Sequence, residues 1–242
     1  MSAQPTAVAV AGAAGRMGRA TAAAVQAAPD MELVAEIDPL YGEQSLAESL
    51  TGAGVLVDFT APDAVLANVR VAVAAGVHVV IGTTGFDQQE LERICAGQAA
   101  NVFAAPNFAI GAVLMMRFAA EAAQHMAKAE IIELHHDRKL DAPSGTAKRT
   151  AELMCQAGGG EVPIHSVRLP GLVANQEVIL GDLGQTLSIR HDTTSREAFM
   201  PGVLLAIRSV AELPRSPLSG LEHLLWPGAA TAPRPPSSRR CS

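Results

Sequence analysis

The sequence predicts an α/β protein, in which a doubly wound parallel sheet at the N-terminus is followed by a smaller α+β domain. Over about the first hundred residues, apolar runs of strand length alternate with alanine-rich stretches of helical length. The apolar runs are continuous, as in strands that helices cover on both faces. Beyond Pro106 several strand-like runs follow one another, which is typical of an α+β domain.

The elements of the first half follow from this alternation. Strands are predicted at Thr6–Ala11, Leu33–Ile37, Val55–Phe59, His78–Ile81 and Val102–Ala105, and helices at Arg16–Ala28, Val65–Ala75 and Gln88–Gln98. Strands and helices that alternate at this spacing form strand–helix–strand units, whose strands are parallel.

The second half predicts two long helices and a group of strands. The helices are expected at Ile110–Ala127 and Ser144–Ala157, and the strands at Glu130–His136, Ile164–Leu169, Glu177–Leu180 and Thr186–His191; a last helix is expected at Pro201–Glu212. We expect residues 1–109, completed by about 201–225, to form the first domain and residues 110–200 the second. Residues 226–242, rich in Pro, Ser and Arg, predict a disordered tail.

Composition excludes several classes of protein. The chain has 242 residues, 49% hydrophobic and 17% charged, which excludes a disordered protein. A net charge of −6 without a basic block, and only 3% aromatic residues, argue against nucleic acid as a partner. No apolar run is long enough to cross a membrane. Three widely spaced Cys without a CxxC pair argue against a disulfide framework or a zinc ribbon, so we expect no metal and a cytoplasmic location.

A glycine loop, Gly12 to Gly18, lies between the first predicted strand and helix. Glycines there allow a tight turn and close backbone approach, and the helix start offers N–H groups to a pyrophosphate. The spacing G-x-x-G-x-x-G is weak evidence alone, but Asp38 follows the second strand, 20 residues after Gly18, where a carboxylate can accept from ribose hydroxyls. A Rossmann-like nucleotide-binding domain is therefore favoured over an ordinary turn.

Two further loops end predicted strands at the edge where open α/β sheets bind ligands. They are Gly82-Thr83-Thr84-Gly85 and Ala105-Pro106-Asn107-Phe108. Both contain small or polar residues that let the backbone approach a ribose or a nicotinamide. For either loop alone, plain turn chemistry is an equally good interpretation.

Titratable residues are concentrated between Glu133 and Arg149, where two of seven His and four of 18 Lys and Arg fall within 17 positions. Such a focus of positive charge suits an anionic small molecule, and His and Lys both move protons. Ser144-Gly145-Thr146 open a helix whose N–H groups and hydroxyls suit a carboxylate. The alternative is a solvated basic loop. Zinc is disfavoured because the adjacent His135 and His136 point to opposite faces of a strand.

In these residues the chain resembles the 4-hydroxy-tetrahydrodipicolinate reductase (dihydrodipicolinate reductase) family of the diaminopimelate–lysine pathway. The most specific motif is Glu133-Leu134-His135-His136, followed by Lys139 and by Asp141-Ala142-Pro143-Ser144-Gly145-Thr146-Ala147. The motifs that agree in order and spacing are Gly12–Gly18, Asp58-Phe59-Thr60, Gly82–Gly85 and Ala105–Phe108. The resemblance covers about residues 6–225.

The resemblance implies hydride transfer from NADH or NADPH to a small cyclic hydroxy-dicarboxylate with loss of water, by a homotetramer whose second domain serves substrate binding and oligomerisation. His135 matches a proton donor/acceptor and Lys139 a proton donor. Substrate-binding matches are His136, Gly145 and Thr146, to which the helix-opening Ser144 is added. Cofactor matches are Gly12, Ala13, Ala14, Gly15, Arg16, Met17, Asp38, Gly82, Thr83, Thr84, Ala105, Pro106, Asn107 and Phe108.

The preferred nucleotide stays open. Asp38 favours NADH, since a carboxylate there would repel a 2′-phosphate, whereas Arg16 could still reach a phosphate. We expect both nucleotides to serve, with NADH at least as good.

Two other functions are considered: a nucleotide-binding sensor without turnover, and another small-substrate dehydrogenase. The sequence departs from the family pattern in the short segment Gln156–Pro163 and in the tail after Leu225, and the short segment is the only support for a sensor. A sensor has no need of Lys139, and the helix start at Ser144–Thr146 beside two His favours the reductase over another dehydrogenase.

Overall fold

The computed structural model describes residues 4–42 and 45–227, and this part of the chain contains ten strands and eight α-helices. The strands are β1 (Thr6–Ala11), β2 (Met31–Ile37), β3 (Val55–Asp58), β4 (His78–Ile81), β5 (Val102–Ala104), β6 (Lys128–His135), β7 (Ile164–Arg168), β8 (Ala174–Asp182), β9 (Gln185–Thr193) and β10 (Leu218–Ser219). The helices are α1 (Arg16–Ala27), α2 (Leu46–Ser49), α3 (Val65–Ala74), α4 (Gln88–Cys95), α5 (Ile110–Ala122), α6 (Gly145–Met154), α7 (Met200–Ser209) and α8 (Glu222–Leu225).

The described residues divide into two compact units. The first runs to Phe108 and is completed by Phe199–Pro227, and the second is Ala109–Ala198. Part of the tail for which disorder was predicted, residues 228–242, lies outside the described residues. No helix in the described ranges is long and apolar enough to cross a membrane.

The first unit is built on a six-stranded sheet in the order β10-β5-β4-β3-β1-β2, with every neighbouring pair parallel. The order reverses beside β1, because β2 lies on one side of it and β3 on the other. The predicted Rossmann-like, doubly wound sheet is therefore confirmed. A parallel sheet of this order opens a crevice at the carboxyl ends of β1 and β3, where ligands bind.

The continuous apolar runs form the core of this unit. Ala9, Leu56 and Val79 belong to one buried cluster with Val69 of α3 and Leu91 of α4. All five side chains are fully buried. Burial of a Val or Leu side chain contributes about 1.5–3 kcal/mol, so the sheet and its helices stabilise each other.

The second unit contains a four-stranded mixed sheet in the order β7-β6-β8-β9. β6 pairs parallel with β7 and antiparallel with β8, and β8 pairs antiparallel with β9. Ile131, Val178 and Leu180 lie in a buried cluster with Ala119 of α5 and Ala147 of α6. The predicted smaller α+β domain is confirmed, and these two helices cover one face of its sheet.

Several predicted element bounds were wrong. The helix predicted to reach Ala127 ends at Ala122, because the chain must turn before β6 begins at Lys128. The helix predicted to reach Gln98 ends at Cys95, ahead of a turn in which Gly97 has φ +75°. β8 and β9 are longer than predicted, since ladder pairing extends through polar residues that hydrophobicity does not mark.

The short segment after α6 continues as one wide helical turn over Cys155–Gly159. Gly158 has φ +105°, and a Cβ at Gly159 would lie 2.8 Å from the Cβ of Ala123. The turn thus passes directly against the end of α5. The Pro163 carbonyl then accepts the Ile131 N–H at 2.9 Å, and β7 begins at the next residue.

Candidate functional site

The glycine loop lies at the carboxyl end of β1. Gly12 has φ +74°, a region that glycine occupies freely, and a Cβ there would lie 2.6 Å from the backbone oxygen of Phe59. The N–H groups of Gly12 and Ala13 both donate to the Ile37 carbonyl, at 2.9 and 3.3 Å. The loop is therefore held against the ends of β2 and β3, where only a glycine backbone fits.

The start of α1 has the features of an anion site. Gly15 is its N-cap residue, no side chain caps the helix, and the first turn holds no acidic residue. Gly15 and Arg16 are exposed. The positive end of the helix dipole and the first-turn N–H groups therefore suit a pyrophosphate.

Asp38 lies beside this loop, immediately after β2. Its Oδ2 accepts the Ala14 N–H at 3.2 Å and its Oδ1 accepts the Leu40 N–H at 3.0 Å. Asp38 and the loop are far apart in the sequence but lie next to each other in the structure. The carboxylate stands next to the loop, as a residue that selects between ribose and ribose phosphate would need to.

A buried carboxylate, Asp58, connects the neighbouring loops. It is fully buried, and its Oδ1 accepts from both the N–H and the hydroxyl of Thr60, at 2.9 and 2.6 Å. Its Oδ2 accepts from the Asn68 amide at 2.8 Å, and the Thr83 hydroxyl lies 3.4 Å from Oδ1. Asp58 therefore holds the loop after β4 in place, a role that sequence reasoning did not assign.

Aromatic contacts join the remaining loops. The ring of Phe59 packs edge-to-face on Phe108, with centroids 6.2 Å apart. A Cβ at Gly82 would lie 2.0 Å from the Phe59 ring, so glycine is required there. The predicted cofactor residues of Gly12–Met17, Gly82–Thr84 and Ala105–Phe108 thus follow β1, β4 and β5 of one parallel sheet, at one edge.

In the second unit, His135 is the last residue of β6, and its ring contacts Glu133, which Arg168 also binds. Its Nδ1 lies 2.5 Å from Oε2 of Glu133, two residues earlier on the same face of the strand. Arg168, the register partner of His135 on β7, donates to Oε2 and Oε1 of Glu133 at 2.8 and 2.7 Å. Glu133 is 0% exposed and the His135 side chain 14% exposed.

The electrostatics of this group follow from its burial and its partners. Burial raises the pKa of the Glu133 carboxyl, but hydrogen bonds from Arg168, Ser166 and His135 outweigh it and lower that pKa to about 2. Burial lowers the pKa of His135, while the Glu133 carboxylate opposes this shift. Nearby Lys139 and Arg168 lower the His135 pKa further. Glu133 therefore stays ionised at neutral pH.

Lys139 lies in the loop after β6, with 22% of its side chain exposed. Its Nζ donates to Oδ1 of Asp141 at 2.7 Å, and Arg168 donates to the backbone oxygen of Asp141, also at 2.7 Å. The loop that carries Lys139 is thus tied to the same guanidinium that binds Glu133. His136 is exposed at the start of this loop.

Ser144 caps α6, as its position at the start of the predicted helix suggests. Its Oγ accepts the Ala147 N–H at 3.2 Å, and its own N–H donates to Oε1 of Glu133 at 3.2 Å. Gly145 is exposed, with open space where a Cβ would be, and Thr146 is half-buried. The start of α6 is therefore accessible at Gly145 and lies next to the histidine–glutamate pair.

Sequence reasoning assigned no role to Glu133 or Arg168. The sequence could have indicated Glu133, because residues two apart on a strand share a face and Glu133 lies two residues before His135. No sequence pattern indicated Arg168, since it lies 33 residues after His135 and only the pairing of β6 with β7 places the two residues side by side. Within residues 4–42 and 45–227 no group of three or more His, Cys, Asp and Glu could hold a metal ion.

Comparisons with known proteins identify similar sequences over both units. Two family models match, "Dihydrodipicolinate reductase, N-terminus" over residues 6–108 and "Dihydrodipicolinate reductase, C-terminus" over residues 111–225. A 4-hydroxy-tetrahydrodipicolinate reductase of Nocardia farcinica is 48% identical over 234 residues, covering 86% of this chain and 94% of that protein. One of Thermobifida fusca is 49% identical over 245 residues, covering 90% and 98%.

A solved structure is also similar. It is a dipicolinate-bound dihydrodipicolinate reductase from Paenisporosarcina sp. TG-14, with 35% sequence identity and a TM-score of 0.81. The match covers 91% of this chain and 99% of that chain. The similarity therefore extends over both units and over nearly all of the compared protein.

Proposed function

The chain belongs to the dihydrodipicolinate reductase family, and from that membership we propose how its residues share the reaction. It is a pyridine-nucleotide-dependent oxidoreductase that reduces 4-hydroxy-tetrahydrodipicolinate in lysine and diaminopimelate biosynthesis. The observation that carries the assignment of residues is the contact between His135 and Glu133 beside the start of α6.

The reaction has a simple balance. The substrate gains one hydride and one proton, and its hydroxyl leaves as water, so tetrahydrodipicolinate and the oxidised nucleotide result. The nucleotide supplies the hydride when bound. The protein must hold two anionic ligands and deliver a proton, because hydroxide is a poor leaving group at neutral pH.

The nucleotide is assigned to the first unit. The loop from Gly12 to Met17 fits the pyrophosphate because its glycines permit close approach and α1 begins there without a side-chain cap. Asp38 is assigned to the adenine ribose. The loops at Gly82–Thr84 and Ala105–Phe108, held by Asp58 and Phe59, are assigned to the rest of the dinucleotide.

NADH is expected to serve at least as well as NADPH. The Asp38 carboxylate would repel a 2′-phosphate, while ribose hydroxyls can donate to it. Arg16, exposed at the start of α1, is the cation through which NADPH would still be accepted.

Proton transfer is assigned to His135 and Lys139. His135 is partly exposed, and its Nδ1 is engaged by Glu133, which leaves Nε2 for exchange with the substrate. Lys139 is held by Asp141, and its ammonium both attracts a carboxylate and can release a proton to the departing hydroxyl. Arg168 cannot be the donor, since a guanidinium does not deprotonate in proteins.

A substrate carboxylate is assigned to Ser144, Gly145 and Thr146, with His136 as a further contact. The backbone at the start of α6 offers N–H groups, and Gly145 leaves the approach open. The similar structure from Paenisporosarcina holds dipicolinate, itself a small dicarboxylate, which supports a ligand of this kind.

A homotetramer assembled through the second unit is proposed. Register places Ile132, Leu134, Val167 and Ile179 on the sheet face opposite the α5–α6 cluster, where all four are half-buried. Among the described residues of this unit the outer strands β7 and β9 each have one strand neighbour. These four apolar side chains, which share the face with charged residues such as Glu177 and Arg190, and the two open edges suit subunit contacts. Light scattering at working concentration should give four subunits, and a monomer would refute this.

A coupled assay tests the function. Pyruvate and aspartate semialdehyde are condensed enzymatically, and this protein is added with NADH or NADPH while absorbance is followed. We expect oxidation only when the condensation product is present. If a folded preparation binds the nucleotide but oxidises neither form, the chain is a sensor and not an enzyme.

A further inference from the structure

We propose that Glu133 is the positioning residue of the reaction, because its carboxylate holds the ring proton of His135 on Nδ1 and fixes the start of α6 beside that ring. The inference rests on the role proposed above for His135, and it adds a residue that never contacts the reacting atoms. Nε2 is then the only ring nitrogen that exchanges a proton with the substrate.

The burial of Glu133 requires an explanation, since an unpaired buried carboxylate is costly. Its side chain is 0% exposed, and it receives contacts from the His135 ring, two Arg168 nitrogens and the Ser144 N–H. An ionised carboxylate only accepts hydrogen bonds. The proton shared with His135 therefore belongs to the ring nitrogen, and the neutral imidazole is the Nδ1–H tautomer.

Arg168 keeps the carboxylate in its ionised form. It donates to both Glu133 oxygens, the paired geometry in which guanidinium–carboxylate interactions are strongest. The charged groups around His135 are Glu133, Arg168 and Lys139, with Asp141 paired to Lys139. Glu133 is the one among them that raises the pKa of His135, so its removal lowers that pKa.

The same carboxylate orders the proposed substrate site. Oε1 accepts the N–H of Ser144, the residue that caps α6, while Oε2 receives the Nδ1 of His135. The group that moves the proton and the helix start that holds the substrate carboxylate are thus positioned by the two oxygens of one side chain. A shift of Glu133 would move both together.

The strand also offers a matched comparison. Glu130, three residues earlier on β6, lies 2.8 Å from Nε2 of His165 on β7. Both side chains are more than half exposed, at 61% and 55%. An exposed pair of this kind contributes little to stability and does not fix the tautomer of the His165 ring. Glu130→Gln is therefore the control for Glu133→Gln.

The first experiment uses the unaltered protein. ¹⁵N NMR shifts of the His135 ring distinguish a protonated from an unprotonated nitrogen. We expect the neutral ring to carry its proton on Nδ1, with His165 showing no such fixed form. A neutral His135 that carries its proton on Nε2 would overturn the proposal, and this result does not depend on any variant folding.

The second experiment compares Glu133→Gln with Glu130→Gln. The amide oxygen of Gln is expected to face Arg168, which leaves its NH₂ toward Nδ1 and drives the ring proton to Nε2. kcat should fall about 10–100-fold, by analogy with the loss of a carboxylate that orients a metal-binding histidine. The His135 pKa should fall, the affinity for NADH should stay unchanged, and Glu133→Asp should recover part of kcat. Glu130→Gln should match the unaltered protein.

The outcomes separate this inference from the proposed function. If His135→Ala lowers kcat but Glu133→Gln leaves kcat and the ring tautomer unchanged, His135 is catalytic and the positioning role is wrong. If His135→Ala has no effect, the assignment of the proton-transfer site itself fails. If Glu133→Gln does not fold, the tautomer in the unaltered protein decides.

Discussion

Gly18 of α1 lies directly against the carbonyl oxygen of Gly12: a Cβ on Gly18 would be 2.1 Å from that oxygen and 2.7 Å from the Cα of Ala13. The first turn of α1 therefore packs against the loop that precedes it more closely than any side chain permits. This contact fixes the start of the helix next to the loop proposed to bind the pyrophosphate.

Gly18→Ala should therefore push α1 away from the loop. Such overpacking against backbone lowers the stability of the fold by about 1–3 kcal/mol. We therefore expect a lower melting temperature and weaker NADH binding, which is measured by fluorescence. Gly54→Ala is the control, since a Cβ there would meet the Ala7 oxygen at an ordinary 3.6 Å. Equal behaviour of the two variants would show that the close approach at Gly18 is unimportant.

Asp38→Ala combined with Pro39→Arg should raise the ratio of kcat/KM with NADPH to that with NADH. The change removes a negative charge and adds a cation beside the proposed 2′ position, worth roughly 1–3 kcal/mol by analogy with charge-assisted hydrogen bonds. KM for both nucleotides should also rise, because the Ala14 and Leu40 N–H groups lose their acceptor. Glu32→Ala, at the opposite end of β2, should leave the ratio unchanged. If the double variant also leaves it unchanged, Asp38 is not at the ribose.

Lys139→Met should lower kcat by roughly 10²–10⁴-fold, the usual range for a positioned acid–base group. Nucleotide affinity should barely change, because the glycine loop is untouched. Lys128→Met removes the same charge from the exposed first residue of β6 and should have no effect on steady-state kinetics. Near-normal turnover of Lys139→Met would mean that the proton comes from another group.

The two adjacent histidines should behave differently. His135→Ala should lower kcat as strongly as Lys139→Met does, because the ring held by Glu133 is lost. His136→Ala should raise KM for the dicarboxylate as much as it lowers kcat, as expected for a residue that binds the substrate. Steady-state kinetics separate these effects, and identical profiles for both variants would contradict the assignment.

The acid stability of the protein should depend on Glu133. Its pKa lies at about 2 in the folded protein against an ordinary 4.5, so its contribution is present above about pH 4.5 and is lost as the pH falls toward 2. This difference in pKa corresponds to a contribution of about 3 kcal/mol to the free energy of unfolding. The free energy of unfolding of Glu133→Gln should therefore lie below that of the unaltered protein at pH 7, and the gap should narrow toward pH 3. Glu130→Gln should show no such pH-dependent gap.

Much of this molecule could be predicted from local patterns. Continuous apolar runs between alanine-rich helices determined the parallel sheet, because strands covered on both faces need apolar residues at every position. The glycine loop, Asp38 and the segment from Glu133 to Arg149 could be marked as candidate nucleotide and substrate residues, since their chemistry is visible in residue type and spacing. Element ends were less predictable, because the end of α5 carries no glycine or proline to mark it.

Only the tertiary structure decided which charged and polar side chains contact each other. Arg168 lies far from Glu133 in the chain and reaches it through the parallel pairing of β7 with β6, and Asp58 joins Thr60, Asn68 and Thr83 through the arrangement of three elements. A sequence specifies each strand by its own periodicity, but the register between strands depends on how whole faces pack. The sequence by itself therefore determined the fold class and marked the candidate site residues, while strand pairing determined which buried side chains contact them.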